Sequence, residues 1–90
     1  MPRTAYVNGS FVPHREASVH IEDRGFQFAD SVYEVIGCID GDMADMRGHL
    51  DRLERSLDEL RIGMPVSRRA FPFLIKELLR RNKLKNAAVY

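Results

Sequence analysis

The order of apolar and polar residues predicts strands in the first half of the chain. The stretch AYVNGSFV places apolar residues on both sides of Asn8-Gly9, a pair suited to a two-residue hairpin turn with positive φ. A longer apolar run predicts a strand over residues 32–39, followed by a second tight turn at Asp40-Gly41 and a return strand over 42–45. The shorter apolar stretch around Val19 predicts one further short strand.

Residues 47–61 have apolar positions every three or four residues, which predicts an amphipathic helix. Asp45 is placed to act as its N-cap. Asp51 and Arg55 have the spacing of a favourable i,i+4 ion pair on the outer face. The apolar stripe consists of Leu50, Leu53, Leu57 and Leu60.

A second amphipathic helix is predicted after the Gly-Met-Pro break that begins at residue 63. Ser67 could cap it, but a start there would put Pro72 beyond the first turn, where proline removes a backbone hydrogen bond. The helix is therefore expected either to start nearer Ala70 or to bend at Pro72. Asn82 is its expected end, and residues 86–90 predict a last strand. Its apolar face consists of Phe71, Leu74, Ile75, Leu78 and Leu79. The predicted fold class is α+β, a mostly antiparallel sheet with two amphipathic helices.

Length and cysteine content limit the class of protein. Ninety residues allow one domain, residues 1–90. The single cysteine, Cys38, excludes an intramolecular disulfide and is expected to be buried in the strand. No apolar run is long enough to span a bilayer and the first residues lack a signal peptide's apolar core, so we expect a cytoplasmic protein.

The net charge of +1 conceals two halves of opposite sign. Residues 1–60 contain six arginines and twelve acidic residues, a net −6, whereas residues 61–90 contain eight basic residues and only Glu77, a net +7. Solvated helix faces are the commonest cause, and an acidic partner or a nucleic acid are the alternatives. The basic residues are not interleaved with aromatic ones, so no nucleic acid is expected. Those residues are Arg68, Arg69, Arg80, Arg81, Lys83 and Lys85.

Two groups of residues have side chains suited to chemistry. Strand alternation puts Tyr33 and Val35 on one face and Glu34 on the other. Both faces are mainly apolar, so both are expected to be covered, and Glu34 then needs a partner such as an arginine. On the first helix His49 and Arg52 lie at the edge of the leucine stripe, together with Ser56.

The pattern by itself does not assign these residues a function. It favours a Glu34 that is ion-paired, a Tyr33 that is packed in the core and an Arg52 whose guanidinium lies in water. A guanidinium at the edge of the leucine stripe is, however, also suited to binding a phosphate or a carboxylate. His14 and His20 have no partners at metal-ligand spacing, so no metal site is predicted.

Four stretches in order carry a family resemblance: YVNGSFVP, EDRGFQFADSVYEVI, DGDM and HLDRLERSLDEL. Together they resemble the N-terminal part of class IV pyridoxal-phosphate aminotransferases, which are fold type IV enzymes. Within the class the VYEV form, with Tyr33, is most similar to D-amino-acid (D-alanine) transaminases. The resemblance covers essentially all 90 residues. FADS departs from the FGDG common in the family at Ala29 and Ser31.

The resemblance implies a role for each candidate residue. Tyr33 and Val35 would line the substrate side of the cofactor cleft, Tyr33 helping to hold the substrate carboxylate. Glu34 would support the site by hydrogen bonding. Arg52 would bind the phosphate of pyridoxal 5′-phosphate, with His49 close by.

The resemblance also implies that no catalytic residue lies in this chain. The Schiff-base lysine of the family is expected past position 90, and Lys76, Lys83 and Lys85 match no catalytic position. The expectation is therefore an N-terminal domain without the catalytic C-terminal domain, inactive alone and forming no aldimine, whose apolar surfaces favour a homodimer or higher self-association. Alternatives are a branched-chain aminotransferase or aminodeoxychorismate lyase of the same class, or a non-enzymatic dimerisation or binding module.

Overall fold

The computed structural model describes residues 2–90 and has the predicted α+β class. Within that range all strand pairing is antiparallel, but the strands form two sheets, one of β1–β2 and one in the order β4-β3-β5. A short 3₁₀ turn follows β2. The elements are β1 (Thr4–Val7), β2 (Ser10–Pro13), α1 (Arg24–Phe28), β3 (Ile36–Ile39), β4 (Asp42–Met43), α2 (Met46–Leu60), α3 (Ala70–Arg81) and β5 (Ala87–Val89).

The first hairpin forms where the sequence predicts it. Asn8 and Gly9 have φ angles of 49° and 87°, both in the left-handed region that this tight turn requires. The hairpin is fixed to the end of α3 through Asn82, whose side chain bonds the backbone N and O of Thr4 at 2.9 and 3.0 Å. The first sheet is thereby joined to the helices.

The middle strand is shorter than the predicted 32–39. Val89 of β5 pairs with Ile36 and Met43 of β4 pairs with Cys38, so pairing stops at Ile36. Within residues 2–90 no strand lies opposite residues 32–35, yet their exposure still alternates as in a strand. The return strand is also shorter than predicted, because the chain turns into α2 soon after Met43.

The core lies between the second sheet and α3. Ile36 and Cys38 of β3 pack there against Ile75 and Leu79. Cys38 is 2% exposed, which confirms its expected burial, and that burial raises the pKa of its thiol.

Both predicted helices form, with local corrections. Asp45 occupies the N-cap position of α2, but it has φ 52° and its side chain makes no capping bond. The predicted ion pair of Asp51 with Arg55 is wrong, because Asp51 forms an ion pair with Arg68 instead, at 2.6 Å. Helix α3 begins at Ala70, which keeps its proline within the first turn. No helix in the described part of the chain has the length and hydrophobicity needed to cross a membrane.

Two features between β2 and β3 differ from the sequence prediction. The strand around Val19 does not form, and Val19 is exposed. Helix α1 was not predicted, because its five residues are too few to show helical periodicity. Its stability comes from local contacts: the Asp23 carboxylate accepts a bond from the Phe26 backbone N at 3.3 Å, and Arg24 pairs with Asp30. The Asp23 cap was the available signal.

Candidate functional site

The Glu34 carboxylate lies at the centre of a charged cluster between α2 and the extended segment of residues 32–35 that precedes β3. Its Oε1 accepts hydrogen bonds from His49 Nδ1 and Arg52 Nη2, both at 2.7 Å. Its Oε2 accepts one from Arg52 Nε at 2.7 Å. The Glu34 side chain is only 8% exposed. The structure therefore gives Glu34 the arginine partner that its position among apolar residues predicts, and a histidine as well.

Two simple periodicities bring these residues together. Alternation along residues 32–39 turns Glu34 to the covered side, while its neighbours Tyr33 and Val35 point outward. The i,i+3 spacing puts His49 and Arg52 on the same side of α2. One carboxylate from the extended segment thus meets two donors from one helical turn.

Electrostatics keep the Glu34 carboxylate ionised. The hydrogen bonds from Arg52 and then from His49 lower the pKa of Glu34 from 4.5 to about 2, against the opposing effect of burial. The Arg52 guanidinium has a raised pKa, caused chiefly by Glu34 and to a smaller degree by Asp45 and Tyr33. Because ionised Glu34 can only accept, His49 Nδ1 must donate, and its Nε2 is left to face away.

Arg52 retains hydrogen-bonding capacity beyond Glu34. A guanidinium carries five N–H groups, and only those on Nε and Nη2 are used by Glu34. Its side chain is 57% exposed. The edge of the guanidinium that faces away from Glu34 can therefore bind an anion while Glu34 fixes the plane of the group.

A shallow cleft of about 330 Å³ lies beside this cluster, at the start of α2. Its lining carries both signs of charge, and one of its carboxylates, Asp51, is already paired with Arg68. A side chain at position 48 would crowd the cleft, since a Cβ on Gly48 would lie 2.6 Å from Asp45 Oδ2. The lining residues are Asp45, Gly48, His49, Asp51, Arg52 and Arg55.

Tyr33 and Val35 lie on an open surface instead of a covered one. Tyr33 is 71% exposed and Val35 is 44% exposed, so the prediction that both faces are covered is wrong. The sheet packs α3 on one side only, and no element of residues 2–90 packs over these two side chains. The ring of Tyr33 stacks on Tyr90 with centroids 5.8 Å apart.

The predicted site residues therefore fall into two groups. Glu34, His49 and Arg52 are joined by hydrogen bonds, whereas Tyr33 and Val35 lie on the opposite face of the same segment. The sequence interpretation missed Asp45 and Arg55 as lining residues of the cleft. Their spacing from Gly48 and Arg52 along α2 was the only signal for them.

A known protein family matches the part of the chain that holds the site. The family described as amino-transferase class IV matches residues 31–90, which hold all five predicted site residues. The chain belongs to the class IV aminotransferases. It spans about 30% of the length of the curated relatives it matches.

The relatives carry two kinds of name. A D-alanine aminotransferase of Staphylococcus haemolyticus is 33% identical over 94% of this chain and 30% of its own length. A D-alanine aminotransferase of Listeria monocytogenes serotype 4b is 36% identical over 93% of the chain and 29% of its own length. A putative branched-chain-amino-acid aminotransferase of Methanocaldococcus jannaschii is 34% identical with the same coverage, 93% and 29%.

A solved structure shares the fold over almost the whole chain. It is a branched-chain amino acid aminotransferase of T.th., crystallised with N-(5′-phosphopyridoxyl)-L-glutamate. The TM-score is 0.86 at 25% identity, with 98% of this chain and 31% of that chain covered. The fold therefore matches that of the N-terminal α+β domain of the fold type IV aminotransferases, as the sequence resemblance predicts.

The Glu34 cluster gives a first prediction, on stability and pH. Glu34→Gln should lower the unfolding free energy of the chain at pH 7 by about 1–2 kcal/mol, because it removes charged hydrogen bonds from a mostly covered group. The folded-state pKa of Glu34 is below its unfolded value. Its contribution is therefore complete above pH 4.5 and is lost as the pH falls towards 2, so wild type and variant should converge in acid. Urea unfolding of wild type and Glu34→Gln at several pH values measures the difference in their unfolding free energies.

Glu77→Gln is the matched control for that prediction. The pKa of Glu77 is also lowered to about 2, through bonds from Arg80 and Arg81, but this cluster lies on the surface of α3. We expect a smaller loss of stability for Glu77→Gln. An equal loss for both variants, or a Glu34→Gln loss that does not change with pH, would show that the Glu34 cluster has no special role.

Proposed function

We propose that the complete enzyme transfers an amino group between a D-amino acid and a 2-oxo acid with pyridoxal 5′-phosphate as cofactor. Here the complete enzyme means this domain joined to the remainder of a class IV aminotransferase. Residues 1–90 form its N-terminal domain in this proposal, and the catalytic lysine lies in the other domain. The observation that carries the proposal is the orientation of Arg52, which Glu34 holds by one edge while the other edge stays free beside a cleft.

The residues of the cleft fit the phosphate of the cofactor. The free edge of Arg52 is a planar pair of donors, which matches two phosphate oxygens. His49 Nε2 faces away from Glu34 and is free for a further polar contact. Asp45 is the opposing charge in the lining, and Asp51 is neutralised by Arg68. Bound there, pyridoxal phosphate would supply an electron sink for the carbon that loses its proton.

The substrate side is assigned to the exposed face of the same segment. Tyr33 offers a hydroxyl and Val35 an apolar side chain, on the face opposite Glu34. A hydroxyl donor beside an apolar wall suits the carboxylate and the side chain of a small amino acid. In this arrangement one extended segment serves both parts of the site, with Glu34 positioning Arg52 and Tyr33 contacting the substrate.

A branched-chain aminotransferase is the second candidate function. It is supported by the Methanocaldococcus relative and by the T.th. structure, whereas the D-amino-acid function is supported by the Staphylococcus and Listeria relatives. Amino transfer to 2-oxoglutarate from D-alanine and from L-leucine distinguishes the two. We expect a higher rate with D-alanine from the complete enzyme.

Two further features of the chain support the remaining parts of the proposal. The exposed apolar side chains around Tyr33 favour self-association, at least as a homodimer. A cytoplasmic location suits Cys38, which is a buried free thiol. A nucleic-acid interface is disfavoured, because three of the six candidate basic residues, Arg68, Arg80 and Arg81, are already paired with carboxylates.

Tyr33→Phe tests the substrate side. The variant keeps the ring and loses one hydroxyl, so we expect the kcat/KM for D-alanine to fall about 10-fold or more, the scale of one hydrogen bond to a charged group. Cofactor affinity should not change, since Tyr33 lies on the face opposite the Arg52 bonds. Steady-state kinetics and a cofactor titration of the complete enzyme give both values. Unchanged kinetics with several D-amino acids would mean that Tyr33 is only part of a packing surface.

A further inference from the structure

All three lysines of the chain line one groove. Lys76, Lys83 and Lys85 are the only lysines in the sequence. They surround a groove of about 460 Å³ at the C-terminal half of α3, beside the turn between β3 and β4. The groove shares no residue with the cleft beside Arg52. Its other lining residues are Gly41, Leu79, Arg80 and Leu84.

The three ammonium groups have no acidic partner in the part of the chain that the structure describes. Every ion pair within residues 2–90 involves an arginine or a histidine. Glu77 is the only acidic residue of segment 61–90, and Arg80 and Arg81 bind it at 2.6 and 2.7 Å. The three ammonium groups therefore make no ion pair with a side chain of the described residues, which leaves them available to an anionic ligand.

The floor of the groove is apolar. Leu79 is buried beneath it as part of the core, and Leu84 is 49% exposed at its side. A ligand that carries only charge would leave this surface in contact with water. A ligand with a short aliphatic part would cover it and gain free energy from the burial.

We propose that this groove binds a phosphate monoester that carries a short aliphatic chain. Ammonium groups are compact point charges without a fixed fork of donors, so they select a ligand by its charge more than by its planar shape. A phosphate monoester carries a charge of about −1.5 to −2 at pH 7, which exceeds that of a carboxylate and suits several ammonium groups at once. The aliphatic part lies against Leu79 and Leu84. This site is independent of the aminotransferase proposal.

Lys83 provides a substitution that removes charge without disturbing the fold. It has φ 55° at the second position after α3, where its backbone N bonds Arg80 O at 3.1 Å and Leu84 N bonds Leu79 O at 3.0 Å. This left-handed position at the end of a helix is one that glycine adopts without strain. Lys83→Gly should therefore keep the helix end intact, and it completes a neutralised variant with Lys76→Gln and Lys85→Gln.

The test uses the ¹⁵N-labelled chain titrated with hexyl phosphate, inorganic phosphate and 1-hexanol. We expect amide shifts at Gly41, Leu79 and Leu84, with hexyl phosphate binding about 10-fold more tightly than inorganic phosphate. The triple lysine variant should lose about 10-fold or more in affinity for hexyl phosphate. If that variant does not fold, the single variant Lys83→Gly should still bind hexyl phosphate about 3-fold more weakly than wild type.

A second triple variant controls for general electrostatic attraction. It replaces Arg15, Arg61 and Arg69 by glutamine, which changes the net charge equally outside the groove. The affinity of this variant for hexyl phosphate should stay within about 2-fold of the wild-type value. Equal losses in the two triple variants, equal affinity for hexyl phosphate and inorganic phosphate, or no amide shift at millimolar ligand would overturn the proposal.

Vesicles distinguish the two sources of such a ligand. Phosphatidylcholine vesicles with and without phosphatidic acid are sedimented with the chain and with its triple lysine variant. Lysine-dependent sedimentation with phosphatidic acid assigns the groove to a lipid headgroup. Binding of hexyl phosphate without sedimentation assigns it to a soluble phosphate monoester.

Discussion

Arg52→Ala in the complete enzyme is expected to weaken the binding of pyridoxal 5′-phosphate by about 10- to 100-fold, the range for hydrogen bonds to a charged group. Arg52 is held by Glu34 at 2.7 Å through two of its nitrogens, so its free edge is already oriented before an anion arrives. Alanine removes both the charge and the orientation. Equilibrium titration of cofactor-free enzyme measures the change.

Two variants on the same helix control for this prediction. Arg55→Ala removes a guanidinium from the lining of the same cleft, one turn further along α2 and without a bond to Glu34. It should change the affinity by no more than about 3-fold. Arg52→Lys keeps the charge but loses the planar fork of donors. Its affinity for pyridoxal 5′-phosphate should lie between those of wild type and Arg52→Ala. Cofactor affinity that is unchanged in Arg52→Ala, or lost equally in Arg55→Ala, would contradict the assignment.

The second large effect is expected from the 90-residue chain by itself: no amino transfer from D-alanine to 2-oxoglutarate. Lys76, Lys83 and Lys85 all line the groove at α3, and none lines the cleft beside Arg52. A cofactor anchored at Arg52 would therefore have no lysine of this chain beside it. A transaminase needs that lysine as nucleophile and proton carrier.

The measurement combines a rate assay with chemical trapping. The purified chain is incubated with pyridoxal 5′-phosphate, reduced with borohydride and analysed by mass spectrometry, and amino transfer is assayed in parallel. We expect no turnover and no stoichiometric adduct at a single lysine. Turnover together with a full adduct at one lysine would show that the chain is catalytically complete.

The parts of the fold that depend on local chemistry could be predicted from the sequence. The turn at Asn8-Gly9 needs two positive φ angles, and those residue types adopt them readily. The two amphipathic helices follow from apolar spacing, and Pro72 favoured the start of α3 at Ala70. The sequence did not predict the short helix α1. It also did not predict that the strand pairing of β3 begins only at Ile36. These two features depend on one capping side chain and on where the neighbouring strands end, and neither leaves a periodic pattern.

The candidate site was predictable in part for the same reason. A carboxylate between apolar neighbours needs a partner, so an arginine bound to Glu34 was expected. The identity of that partner depends on how α2 packs beside the extended segment, and only the structure supplies His49 and Arg52 together. The prediction that Tyr33 is covered failed because alternation assigns a side chain to a face but does not say what packs over that face.

The proposed binding of the cofactor phosphate by Arg52 can be tested with two ligands that differ only in the phosphate. The affinities of the complete enzyme and of its Arg52→Ala variant are measured for pyridoxal 5′-phosphate and for pyridoxal, which lacks the phosphate. We expect Arg52→Ala to lose about 10-fold or more in affinity for pyridoxal 5′-phosphate and to change by no more than about 2-fold for pyridoxal. An equal loss for both ligands would mean that Arg52 supports the fold of the site or binds another part of the cofactor, and would rule out its role as the phosphate ligand.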